Sequence, residues 1–138
     1  MDDFRTELTA AIEAMREAGA EPTFLIVDLD GLAAVKQSND RDALATLRDA
    51  ATGAISVAGG GCDTFTYGEE RIVAILPGFR RLQTFALIDK LRRALPLLGQ
   101  SFDCALRPEF DVLEYDETLG VAGLVSQLAK LTREREAA

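Results

Sequence analysis

Apolar residues recur at helical spacing in four stretches of the chain and run together without a break in two others. Phe4, Leu8, Ala11, Ile12 and Met15 predict an amphipathic helix from about Asp3 to Glu17, ended at Gly19. This helix either packs on the domain or forms the end of a dimerisation or signalling helix. The four successive apolar residues Phe24 to Val27 read as a central strand covered on both faces, running on to Asp28 and Asp30. A short helix from Gly31 and Leu32 to about Lys36 follows. Asn39 and Asp40 are placed to cap the next helix, whose buried face is Leu44, Leu47, Ala51 and Ile55. Gly59, Gly60 and Gly61 interrupt the pattern and read as a flexible connection. They lack the lysine and hydroxyl residue of a nucleoside-triphosphate loop.

A hairpin comes next. Asp63 to Thr66 end one strand, Tyr67-Gly68-Glu69-Glu70 turn, and Arg71 to Leu76 begin the other, which Pro77 and Gly78 stop. Leu82, Phe85, Ala86, Ile88, Leu91 and Leu95 predict a helix limited by Pro96. Phe102 to Leu106 and Phe110 to Tyr115 are two further strand candidates. Leu119, Ala122, Leu124, Val125, Leu128 and Leu131 mark a last packed helix, and Arg133 to Glu136 is expected to fray. The order predicts an α+β sandwich, with a single mostly antiparallel five-stranded central sheet flanked by helices. The expected divisions are an N-terminal helix at 1–19, the main domain at 20–133 and a charged tail at 134–138. A right-handed crossover is expected to set the Asp28 strand beside the Arg71 to Leu76 strand.

Composition narrows the chemistry. A chain of 138 residues suffices for one domain with its own core. Its formal charge of -8 argues against nucleic acid or an anionic membrane held by a general positive field. No apolar run reaches membrane-spanning length and no secretion segment is evident, so the cytoplasm is the expected compartment. The absence of histidine excludes an imidazole base and a His-containing zinc site. Cys62 and Cys104 are too few for a disulfide scaffold and are expected to be buried strand thiols. What remains is acidic: Asp28 at one strand end, and Glu69 and Glu70 in the hairpin turn. Asp28 alone also reads as a polar strand terminus or helix cap. Glu69 and Glu70 also read as solubilising acids.

The Phe24 to Asp30 strand with its Asp-x-Asp end, the Tyr67-Gly-Glu-Glu-Arg71 turn, and the strand and proline after it resemble the GGDEF-domain family of diguanylate cyclases. The resemblance covers about Glu21 to Lys130. It implies a fold of the nucleotide-cyclase kind and an activity that joins two GTP molecules into cyclic di-GMP with divalent ions, Mg2+ or Mn2+. It would make Asp28 and Glu69 metal carboxylates, with the Leu29 carbonyl nearby and Glu70 tied to the same centre. Lys130 matches a phosphate-contacting lysine.

Departures from the family pattern are numerous. Tyr67 replaces the first glycine of the turn and Arg71 its phenylalanine. Lys36 falls on the guanine-binding asparagine, with Asn39 available only through an altered loop. Ala45 falls on the guanine-binding aspartate, with Asp42 nearby. Glu134 replaces an arginine, and Ala58 to Gly61 lack both charges of the Arg-x-x-Asp feedback site. No Ser-x-Gly signature occurs near Phe102 to Leu106. The expectation is a degenerate GGDEF-like signalling or regulatory module, without catalysis or a required cofactor, acting on a protein partner or as a homo-oligomer. The alternatives are a metal-dependent sensor of GTP or another nucleotide, with Lys36, Asn39, Asp42 and Lys130 as candidate contacts, and an active cyclase.

Overall fold

A computed structural model describes residues 2–30, 41–67, 70–102 and 104–137. Helix α1 (Asp2–Glu17) leads into strand β1 (Pro22–Asp30), and α2 (Arg41–Ala58) follows. The hairpin strands β2 (Asp63–Tyr67) and β3 (Arg71–Pro77) precede α3 (Arg81–Gln100), β4 (Arg107–Glu114) and α4 (Gly120–Ala137). The expected helix from Gly31 to Lys36 lies outside the described residues.

Among the described residues, four strands form one sheet in the order β2-β3-β1-β4. All neighbours are antiparallel. The β1 and β3 strands are adjacent, as expected, but they pair antiparallel, so the crossover helix joins β1 to β2 and leaves β3 between them. The two unbroken apolar runs are the two central strands. Both sheet faces are covered, which is why Phe24 to Val27 and Ile72 to Leu76 have no polar alternation.

One face of the sheet packs Leu25, Val27, Leu29, Ile72, Ala74 and Leu76 against α2 and α3, including Leu47, Ile55, Leu91 and Leu95. The other packs Phe24, Ile26, Val73 and Ile75 against Leu8 and Ile12 of α1 and Leu124, Val125 and Leu128 of α4. Thus α1 is a covering helix of the domain, one of the two arrangements its periodicity allowed. Gly78 N–H donates to the Glu21 carbonyl at 2.9 Å, tying the end of β3 to the start of β1.

Three expectations are corrected. Pro96 does not end α3, which continues to Gln100 with Leu95 and Gly99 buried. The proline removes one backbone donor, a loss that packing of the last turn outweighs. The segment expected to be a strand, 102–106, joins no ladder in its described part, so the sheet there has four strands rather than five. Its backbone donors are used on the helix end instead: Phe102 and Cys104 N–H both donate to the Gly99 carbonyl at 2.9 Å. Cys62 and Cys104 are buried and unoxidised, but both lie just outside strands. Burial pushes both thiols above their ordinary pKa. The α4 helix runs through the charged end to Ala137. Ahead of it, Asp116 accepts from the Thr118 hydroxyl at 2.6 Å and the Thr118 N–H at 2.9 Å. These bonds lower the Asp116 pKa.

Candidate functional site

The register of the ladders builds the site. Tyr67 on β2 faces Arg71 on β3, Arg71 faces Asp28 on β1, and Asp28 faces Glu109 on β4. Side chains opposite one another in an antiparallel sheet share a face, so these four form one polar row across the end of the sheet. The next row on this face is Phe65, Val73, Ile26 and Asp111, and the one after it Asp63, Ile75, Phe24 and Leu113. The polar row therefore caps the apolar floor beneath α1 and α4.

Within the row, Arg71 Nη2 lies 3.5 Å from Asp28 Oδ2. The Asp28 side chain is 10% exposed and that of Arg71 13%. Burial of an ionised carboxylate is costly without a counter-charge, and the neighbouring strand supplies one. The separation is longer than a strong charge-assisted hydrogen bond, so the pair is chiefly electrostatic. Arg71 Nε is buried and has no hydrogen-bond partner among the described residues. Glu109, on the far side of Asp28, is exposed to water.

The hairpin turn enters the site through its backbone. Leu29 N–H donates to the Glu70 carbonyl at 2.7 Å, extending the β1–β3 contact one step past Asp28 and Arg71. This fixes Asp28, Leu29 and Glu70 at one end of the sheet. Gly68, Glu69, Lys36 and Asn39, named from the sequence as motif, metal or nucleotide residues, lie outside the described residues. Asp42 sits exposed in the first turn of α2, where a carboxylate is favoured by the helix dipole. Lys130 is exposed on α4, two positions beyond the buried Leu128. Among the described residues no group of three or more acids or thiols converges as a metal-binding cluster. Also among them, no helix is long and apolar enough to cross a membrane.

Two participants escaped the sequence reading. Nothing in the sequence marks Glu109, although it lies on the same sheet face as Asp28. In the sequence Arg71 stands out only as the start of a strand and a departure from a motif. Its partner became visible once the β1–β3 register set it opposite Asp28.

A scan against protein-family models finds no match to this chain, and the curated proteins contain none either. Solved structures do match. The GGDEF domain of DgcB from Caulobacter crescentus, solved in complex with c-di-GMP, aligns at a TM-score of 0.63 and 13% identity over 98% of this chain and 84% of its own. A GGDEF domain from Pseudomonas aeruginosa aligns at 0.60 and 17% identity, over 96% and 89%. The active GGEEF domain of a Vibrio cholerae diguanylate cyclase aligns at 0.58 and 13% identity, over 83% and 76%. The fold is that of a GGDEF domain, at 13–17% sequence identity to these three examples of it.

Proposed function

We propose that this chain is a GGDEF-like signalling module that does not synthesise cyclic di-GMP and acts through protein contacts. The observation that carries this reading is the Arg71–Asp28 pair. Arg71 stands where the GGDEF pattern has phenylalanine, and Asp28 stands where the pattern has a metal carboxylate. Divalent ions of the Mg2+ kind require direct oxygen contacts at about 2.0–2.1 Å in a near-octahedral shell. A guanidinium held against the same carboxylate supplies positive charge without open coordination positions. The residues present therefore fit a divalent ion poorly, and no catalytic step is derived through one. The other departures point the same way. Tyr67, at the position of the motif's first glycine, stands opposite Arg71 and packs a ring against the core on that face. Asp42 and Lys130 remain without an observation linking them to a nucleotide.

The test is direct. Purified protein incubated with GTP and Mg2+ or Mn2+ is expected to yield no cyclic di-GMP by mass spectrometry, and product formation would overturn the proposal. Titration calorimetry with GTP, with and without Mg2+, separates the sensor alternative. Metal-dependent GTP binding would establish the sensor and displace the reading of a ligand-free interaction module.

A further inference from the structure

The two edges of the sheet are treated very differently by the sequence. Along the β4 edge stand Arg107, Pro108, Glu109, Asp111 and Glu114. Charges and proline on an edge strand are the usual protection against pairing with another chain. The opposite edge, β2, reads Asp-Thr-Phe-Thr-Tyr. It has one charge, at its first residue, and no proline, lysine or glycine. Threonine and aromatic residues are strong strand formers, so this edge is well suited to accept another strand.

Space for a strand exists there. A slot of about 360 Å³ runs along Thr64, Phe65 and Thr66, between Glu7 of α1 on one side and Thr52 of α2 on the other. Residues of two helices thus line the slot beside the edge. The strand is also self-complementary. Antiparallel neighbours must place residues of one face opposite residues of the same face, so a two-fold pairing of β2 with itself must centre on a residue. Centred on Phe65, it sets Thr64 opposite Thr66 twice, Phe65 opposite Phe65, and the Asp63 carboxylate opposite the Tyr67 hydroxyl. Each is a favourable cross-strand pair, and no like charges meet within the ladder.

The registers that pair most of β4 with itself are worse. Centred on Asp111, such a pairing opposes two carboxylates, and centred on Phe110 it sets Glu109 against Asp111.

We infer that the β2 edge is a homodimer interface, through which two copies join their sheets by antiparallel pairing of Asp63–Tyr67 about Phe65. The inference rests on the interaction reading above and names its partner as a second copy of this chain. Glu7 on the slot wall gives each copy a negative charge near the junction, so salt is expected to strengthen association by screening.

Light scattering on the eluting intact chain, from micromolar to millimolar concentration, is expected to show a concentration-dependent dimer. Thr66→Lys places a charge on an exposed edge position and is expected to abolish the dimer without changing the far-ultraviolet circular dichroism, or the melting temperature at concentrations where the unsubstituted chain is monomeric. Register is tested by disulfides. Copies carrying Thr64→Cys mixed with copies carrying Thr66→Cys should crosslink under mild oxidation. Either variant alone should not, because its own two sulfurs are then a diagonal apart, beyond disulfide reach. The unsubstituted chain, with both cysteines buried, is the control.

A chain that stays monomeric at every concentration overturns the inference. So does a dimer that persists in Thr66→Lys, or crosslinking that is as efficient in one variant alone. Binding of an unrelated extended peptide at β2 without self-association also overturns it. A monomer that makes no cyclic di-GMP would leave the loss of cyclisation standing. A dimer that makes it would leave the interface standing.

Discussion

At the scale of single residues, the Arg71–Asp28 pair decides how the site behaves, because both members are largely removed from water. Breaking a buried ion pair by deleting one member strands the other, a cost of about 3–5 kcal/mol. Replacing both members by apolar residues of similar volume is often neutral. Arg71→Met is therefore expected to cost about 3 kcal/mol, at the low end because the pair sits at the end of the sheet and its contact is long. Arg71→Met combined with Asp28→Leu should recover most of that loss. Urea unfolding of the two single variants and the double variant gives the coupling, provided the slope against denaturant is unchanged. Near-additive losses would show that the two charges do not depend on each other. Asp28 could be picked out from sequence because an acid directly after four apolar residues is unusual. Its partner could not, because opposing residues are fixed by register and register is a property of two strands at once.

At the scale of elements, the helical periodicities located the four helices described and the apolar runs the two central strands, and the failures share one cause. Local preference makes Pro96 a helix end and 102–106 a strand, yet both are settled by how the end of α3 packs. Gly99 shows this most clearly. A Cβ there would lie 2.5 Å from the Cys104 carbonyl oxygen and about 3 Å from the Leu106 side chain. The chain leaving α3 folds back onto a helix surface that is open only because residue 99 has no side chain. In a helix, alanine is ordinarily more stable than glycine by about 1 kcal/mol. At Gly53, on the exposed side of α2 with nothing within 4 Å of a new Cβ, that preference should hold, and Gly53→Ala should gain about that amount. At Gly99 the sign should reverse. The contacting atom is backbone and cannot rotate away, so Gly99→Ala is expected to cost about 1–3 kcal/mol through overpacking. Thermal melts of the two variants side by side would check both signs. A gain at Gly99 would mean that the 102–106 segment is not seated on the helix.

At the scale of the whole molecule, the sheet divides the chain into two cores, and the second depends on the two ends of the sequence. The α1 helix and α4 are far apart in the chain, yet together they cover Phe24, Ile26, Val73 and Ile75. Periodicity alone left open whether the first helix belonged to this domain, since an amphipathic face says that something covers it without saying what. Packing supplies the rest: Leu8 is fully buried and Ile12 nearly so, both against the central strands. Had α1 been a free signalling helix, Leu8→Ala would change stability by little more than a helix-propensity difference. Seated as it is, the substitution should remove transfer energy and open a cavity beside Phe24 and its neighbours, at a cost of about 2–5 kcal/mol. Leu8→Ala should lower the denaturation midpoint accordingly, in one cooperative transition. A change below about 0.5 kcal/mol, the range of ordinary surface substitutions, would instead place α1 outside the folding unit. On the packing described, the helix that reads as a separate N-terminal segment is part of the core that closes one face of the sheet.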